Sequence, residues 1–286
     1  MMKVLVTGAT GNVGFSTCNA LIKRGVEVVA TTSDLRRSKN LFSEEIELRK
    51  LDFYKPDTFK NVLDGIDKVF LMRPPKIGDP KVINCFIDKA VELGVNHFTF
   101  LSLLGIEKNP IPPHYKIEKH LQQVNATYTS LRPSFFMQNL TGAHLEDILK
   151  HDDLFIPSGK AKLSFIDTND IGEVAAVTLI EDGHENKGYT LTGSESLNYY
   201  DVADIMTDVL GRKITYSKPG LLKFRREMLS RGQKKEYVNV LLLLNIMTRL
   251  GTAKLVTDEI DKILGRRPIT MRQFVEEHKA LFNQKE

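Results

Sequence analysis

The stretch KVLVTGATGNVGF, Lys3 to Phe15, decides the fold of this chain. Val4, Leu5, Val6 and Thr7 read as a buried strand that runs straight into three glycines spaced Gly8-x-x-Gly11-x-x-Gly14. Val13 to Arg24 then carries apolar residues near helical spacing, and Gly25 stops the helix. Strand, glycine turn, helix is the unit in which backbone amides and the helix dipole receive a dinucleotide pyrophosphate. One glycine permits the tight turn, one lets backbone approach the phosphates, and one lets helix pack on strand. Gly8, Thr10, Gly11, Asn12, Val13 and Gly14 are therefore the candidate phosphate cradle.

The same rhythm continues outward. Strands are expected at Val26–Thr31, Ile46–Leu51, Lys68–Met72, His97–Leu101 and Thr127–Leu131, with helices at Pro56–Leu63, Asp79–Leu93 and His114–Val124 between them. Strands alternating with helices over short connections imply parallel pairing and right-handed crossovers. The expected fold is thus α/β, a doubly wound parallel sheet over residues 1–133. After Pro133 the rhythm breaks. Strand fragments at Lys162–Ile166 and Gly188–Thr192 alternate with helices at Asp170–Leu179, Tyr199–Leu210, Leu221–Met228, Tyr237–Arg249, Thr257–Leu264 and Met271–Phe282. Residues 134–286 are expected to form a smaller, mostly helical substrate lobe interleaved with the sheet edge.

Composition narrows the classes. The chain has 286 residues, 42% of them hydrophobic, enough for one or two domains. The net charge of +4 is spread along the chain, and the densest basic cluster, Lys223 to Arg226 with Lys234 and Lys235, lacks a DNA-reading pattern. No nucleic-acid partner is expected. Cys18 and Cys85 lie in apolar helical patterns and read as reduced core residues rather than a disulfide framework. No metal site is expected. The longest late apolar run, VNVLLLLNIM from Val238 to Met247, is too short to span a bilayer, and no basic leader precedes the first strand. The expectation is a soluble, cytoplasmic protein with no membrane partner.

Larger stretches carry a family resemblance. GVNHFTFLSLLGIEKNPIPPHYKIEKHL, YTSLRPSFFMQNL, FIDTNDIGEVAAVTLIEDG and GYTLTGSESLNYYDVADIMTDVLGRKITY together resemble the NmrA-like branch of atypical short-chain dehydrogenases, from about Lys3 to Tyr216. That resemblance implies a Rossmann domain and NAD(P) binding. It also implies either a quinone-reductase type of oxidoreductase acting on a small-molecule acceptor or a non-catalytic redox sensor. The sensor would act through a regulatory protein partner; a homodimer is compatible with either. A sugar-nucleotide epimerase is disfavoured, because that chemistry needs a catalytic tyrosine.

The candidate site follows from motif and resemblance. After the second strand, Thr32 and Ser33 replace the acidic residue that binds a ribose 2′-hydroxyl, and Arg36, Arg37 and Lys39 follow. Hydroxyls with nearby arginines favour NADP(H) over NAD(H), since Arg grips a phosphate in bidentate fashion. The resemblance places Asp52 and Phe53 at the adenine and Met72 and Arg73 beside the ribose. Ordinary short-chain dehydrogenases use Ser, Tyr and Lys. Ser102 matches the serine, but His114-x-x-x-Glu118 is in the register of the quinone-reductase branch, with Pro110 where the tyrosine would stand. His114 is then a ribose or substrate contact. Tyr115 with Lys119, as a donor pair, stays open beside it, as does a plain helix surface. Phe135, Phe136, Met137 and Asn139 are the implied acceptor wall, and Tyr237 with Leu241 and Leu244 a lid. For each aromatic the competing role is core packing.

Overall fold

The computed structural model describes residues 2–38, 40–42 and 46–284. Among the described residues there are seven strands: β1 (Lys3–Val6), β2 (Glu27–Thr32), β3 (Glu47–Lys50), β4 (Lys68–Met72), β5 (His97–Leu101), β6 (Thr127–Pro133) and β7 (Lys187–Leu191). The helices up to β7 are α1 (Asn12–Ile22), α2 (Leu35–Ser38), α3 (Phe59–Leu63), α4 (Pro80–Glu92), α5 (Pro113–Leu121), α6 (Leu145–His151) and α7 (Thr168–Ile180). Beyond it come α8 (Tyr199–Leu210), α9 (Leu221–Ser230), α10 (Lys235–Arg249), α11 (Glu259–Leu264), α12 (Met271–Glu277) and α13 (Lys279–Phe282). The chain divides into two compact units. One holds Met1–Pro133, Thr168–Leu191 and Glu259–Arg266; the other holds Ser134–Asp167, Thr192–Asp258 and Arg267–Glu286.

The first unit is built on one seven-stranded sheet in the order β3-β2-β1-β4-β5-β6-β7, with every pairing parallel. Strand order reverses between β1 and β4, the switch point at which such sheets open a ligand crevice beyond their carboxyl ends. Central strands are buried throughout, as at Val4–Val6, Val69–Leu71 and Phe98–Phe100, which matches a sheet covered on both faces. On one face Leu5, Val69, Phe98 and Phe100 pack with Phe59 of α3, Phe86 of α4 and Ile117 of α5. Phe86 makes edge-on contacts with both Phe53 and Phe59.

Helices α1 and α7 lie together. Their approach depends on Gly172, where a Cβ would stand 2.6 Å from the carbonyl carbon of Ser16 and 2.7 Å from its Cβ. Ser16 also donates to Asn169 (3.0 Å), and Arg24 pairs with Glu173 (2.6 Å). Thr178 of α7 bonds Thr99 of β5 at 3.1 Å, and Lys68 of β4 donates to the Leu179 carbonyl at 2.6 Å. Asp170, fully buried, is matched by Arg266 at 2.7 Å.

The second unit has its own core, in which Met206 and Val202 of α8 join Met271 and Phe274 of α12 and Phe282 of α13. Asn198 and Asp201 close a capping box at the start of α8, and Thr270 and Gln273 another at the start of α12. Three sequence expectations are corrected here. Lys162–Ile166 is no strand: Leu163 and Ile166 make isolated bridges to Leu197 and Phe136. Met271–Phe282 is two helices, parted at His278. Helix α6 was not expected at all. Helix α10 buries Val238 and Thr248 and half-buries Leu241, Leu242 and Asn245, but leaves Val240 and Leu243 54% and 59% exposed.

Candidate functional site

The glycine turn sits where β1 meets α1. Gly8 has φ of 62°, a left-handed conformation that glycine adopts without strain, and a Cβ there would overlap the Met72 side chain. At Gly14 a Cβ would overlap the Gly8 carbonyl oxygen and stand 2.7 Å from the Gly8 carbonyl carbon and 2.8 Å from the Ala9 Cα. Helix and turn therefore touch backbone to backbone. Gly11 differs: a Cβ there would meet the Gly8 oxygen at 3.4 Å and the Met72 side chain at 3.8 Å, ordinary contact distances, so a side chain is tolerated sterically. Gly11 caps α1 with no side-chain bond, and the first turn holds no acidic residue. The helical ladder opens with Phe15 N to Gly11 O (2.8 Å), so the amides of Asn12, Val13 and Gly14 lie ahead of it. Thr10, in the turn, is exposed. An uncapped helix start of this kind has the free amides and the dipole that suit an anion.

Thr7 locks the cradle to the switch point. Its hydroxyl accepts the Met72 amide at 2.7 Å, tying the end of β1 to the end of β4. Arg73, next along, is directed into its own loop: its guanidinium donates to the carbonyls of Pro74 (3.0 Å), Pro75 (3.3 Å) and Ile77, and its Nε to His114 Nε2 (3.4 Å). At the end of β2, Thr32 is turned inward, with its hydroxyl bonded to Ser38 (2.7 Å) and to the Asp34 amide (3.1 Å). Ser33 and Arg36 are exposed, and Asp34 accepts the Arg36 amide at 3.0 Å. The Arg37 side chain and Lys39 lie outside the described residues. Asp52 shapes a turn by accepting the Tyr54 amide (3.0 Å), while Phe53 is buried against Phe86.

Two buried polar groups point to a second part of the site. Ser102 directly follows β5; its hydroxyl is buried without a hydrogen-bond partner. His114, near the start of α5, packs its ring on Phe100 at 5.9 Å, and strand alternation places residues 100 and 102 on one face of the sheet. Because Arg73 can only donate, His114 Nε2 accepts from it and the ring proton is assigned to Nδ1. That Nδ1 is itself buried and without a partner. Burial, and then the Arg73 charge, pushes His114 down to about 3, so the ring is neutral.

Tyr115 and Lys119 turn elsewhere. Lys119 Nζ lies 5.7 Å over the Tyr115 ring and donates to Gln122 at 3.2 Å on an exposed surface. Glu118 was read only as a motif position. It is buried and clamps Arg132 of β6 in bidentate fashion, at 3.1 Å and 2.8 Å. In the second unit, Phe135 and Phe136 are half-buried, Met137 is core, Asn139 is exposed and Tyr237 is 45% exposed. Leu241 on the same helix is half-buried and Leu244 exposed. Among the described residues no group of three His, Cys, Asp or Glu is placed to hold a metal ion, and no helix is long and apolar enough to cross a membrane.

The neutral state of His114 has a stability consequence that His97 shares. His97 is buried among Thr127, Thr99 and Thr129, and burial, then the Lys68 charge, pushes it down to about 4. In the unfolded chain each ring takes up a proton near pH 6.5. The folded state resists it. Their contribution is therefore complete above about pH 6.5 and is lost as pH falls toward the folded values. His144, which burial pushes down to about 4, makes a third such group. With three the slope near pH 5 approaches about 4 kcal/mol per pH unit. Urea unfolding at pH 7 and pH 5 measures it, and His114→Gln should remove about a third. A midpoint that does not move with pH would place the rings in water.

Comparison with known proteins agrees with this architecture. The chain is 28% identical to an NAD(P)H azoreductase of Xenophilus azovorans over 283 residues, covering 98% of this chain and 99% of that protein. It is 30% identical to an agroclavine dehydrogenase of Claviceps purpurea (strain 20.1) over 290 residues, 98% of each. Its fold matches that of an NADPH-dependent quinone oxidoreductase from Escherichia coli complexed with NADPH, with a TM-score of 0.86 at 23% identity over 96% of this chain and 99% of the other. The Citrobacter triphenylmethane reductase complexed with NADP(H) gives 0.84 at 21% identity, over 97% and 99%. The description of the NmrA-like family matches residues 1–272, and the chain belongs to that family.

Proposed function

We propose that the chain is an NAD(P)H-dependent oxidoreductase that reduces a quinone-like or small carbonyl acceptor without a Tyr–Lys pair. The observation that carries this reading is the uncapped start of α1 at Gly11, with no acidic residue in its first turn and backbone packed on backbone at Gly14. A diphosphate suits that end by charge. Gly8, Thr10, Gly11, Asn12, Val13 and Gly14 would hold it, with Met72 and Asp52 at the rim. Arg36 and Arg37 would favour NADP(H). The names of the azoreductase and of the two nucleotide-bound structural neighbours support the same cofactor class.

Reduced nicotinamide, when bound, supplies hydride. The chain's own contribution is two buried donors, Ser102 Oγ–H and His114 Nδ1–H, available to a ribose hydroxyl or an acceptor oxygen. Neutral His114 donates without delivering a net proton, so a reduced quinone takes its proton from water, and positioning supplies the rate. Lys119 donates to Gln122, which supports a reading that does not use the Tyr115–Lys119 pair.

The test mixes purified protein with NADPH or NADH and a panel of quinones and azo dyes, and follows loss of reduced-nicotinamide absorbance. Ser102→Ala and His114→Gln should each lower kcat/KM about tenfold or more, as loss of a buried hydrogen bond would. Tyr115→Phe should stay within about twofold. Collapse of turnover in Tyr115→Phe would restore the Tyr–Lys reading; tight nucleotide binding with no turnover across the panel would favour a sensor. Arg36→Ala with Arg37→Ala should weaken NADPH far more than NADH. Equal weakening would remove both from the site.

A further inference from the structure

The second unit holds a cavity of about 600 Å³, open to solvent, that the reading above does not use. Lys160, Lys218 and Arg249 line it, with the turn at Gly159 and the start of α9 at Gly220, and no carboxylate is among its lining residues. Gly220 caps α9 without a side-chain bond, and the first turn of that ten-residue helix has no acidic residue. Gly159 has φ of 65°, and a Cβ there would lie 3.5 Å from Arg249 Nε, so the Arg249 side chain runs directly across this turn. Ser158 donates to Asn245, one turn before Arg249 on α10, which fixes the loop to the helix. Lys218 is held in a left-handed conformation, φ 46°, uncommon for a residue with a side chain, and its Nζ sits 6.0 Å over the Tyr200 ring.

Beneath these cations lies Tyr216. It is only 7% exposed, and its ring packs edge-on against Tyr200 at 4.9 Å. Its hydroxyl is buried: the backbone amides of Ser158 and Gly159 approach its oxygen, no acceptor takes its proton, and the Gly159 turn and Arg249 beside it both line the cavity. Burial pushes it up to about 12, and at neutral pH it is a hydrogen-bond donor. A buried unpaired donor costs about 1–3 kcal/mol unless a ligand takes the bond.

We propose that this cavity is a binding site for a phosphate group, gripped by Arg249, Lys160 and Lys218, seated on the start of α9 and hydrogen-bonded by the Tyr216 hydroxyl. The volume exceeds that of the bare ion and leaves room for the organic part of a small phosphate ester. The same chemistry would accept free phosphate. The inference stands on the second unit alone and does not depend on the oxidoreductase reading.

Calorimetric titration separates the outcomes. Full-length protein free of nucleotide is titrated with inorganic phosphate and separately with phenyl phosphate, and the variants of this cavity separate it from the α1 turn. Saturable binding is expected, weakened about tenfold in Arg249→Met and about threefold to fivefold in Tyr216→Phe, as for loss of one charged and one neutral hydrogen-bond donor. Lys55→Met, a surface control elsewhere, should bind like the parent. Tyr216→Phe keeps the ring and deletes only an unsatisfied hydroxyl, so its thermal midpoint without ligand should equal or exceed the parent's. Tighter binding of phenyl phosphate identifies an ester as the ligand class; tighter binding of phosphate identifies the free ion. Equal affinity in parent, Arg249→Met and Tyr216→Phe, or heats that never saturate, would overturn the proposal.

Discussion

Gly14→Ala is expected to destabilise the protein by about 2–3 kcal/mol and to weaken NADPH binding by about a hundredfold or more. The added methyl would overlap the Gly8 carbonyl oxygen and crowd the Ala9 Cα, and these are backbone atoms that cannot rotate aside. Relief requires the first turn of α1 to lift away from β1, carrying the amides of Asn12 and Val13 with it. Gly11→Ala makes the informative companion. Its methyl meets nothing closer than 3.4 Å, so folding should be close to normal, while on the proposed reading it stands at the amides that would receive the phosphate. Urea unfolding and nucleotide titration of both variants give the pattern: Gly14→Ala loses stability and binding, Gly11→Ala loses binding alone. Parent-like binding in both would remove the nucleotide from this turn.

The second large effect is expected from Arg132→Met. Glu118 is buried, and Arg132 supplies two parallel hydrogen bonds to its carboxylate, with Glu107 a looser neighbour at 3.7 Å. Removing the cation strands a carboxylate in the interior, which costs about 3–5 kcal/mol. Arg132 also lies over Gly188 of β7, where a Cβ would come within 2.8 Å of its guanidinium carbon, so the same side chain organises the sheet edge. The double variant Arg132→Met with Glu118→Met should recover most of the loss, because it removes the stranded charge along with its partner. A single variant within about 0.5 kcal/mol of the parent would show that the pair is solvated.

Much of the sheet was legible because its strands obey local rules. Lys68–Met72 and His97–Leu101 are short apolar runs bounded by turn residues, and they form β4 and β5 with those limits. Tyr199–Leu210 likewise has its cap in Asn198 and its stop in Gly211. What escaped depends on distant partners. Lys162–Ile166 alternates like a strand, but only Leu163 and Ile166 find bridging residues. Glu118 reads as a surface residue of an amphipathic helix until β6 brings Arg132 beside it. Gly172 sits in an ordinary helical pattern, and only the proximity of Ser16 shows why a side chain is excluded there. The unpaired donors at Ser102, His114 and Tyr216 have no sequence signal, since lacking a partner is a property of the packed interior. Thr32, read as a ribose contact, is turned toward Ser38 by a local bond that its sequence context does not announce.

The interleaving of the two units bears on how the chain matures at the ribosome. The amino-terminal 133 residues already contain six of the seven strands, yet α7, β7 and the Arg266 partner of Asp170 come from far later in the chain. While translation is under way, the nascent sheet has β6 as a bare edge, and the surface that α7 will cover on α1 is open. Emerging domains generally fold as units. This one cannot close until residue 266 has cleared the exit tunnel, so the scaffold of the glycine turn stays open until late in synthesis, with only Arg267–Glu286 of the other unit still to come.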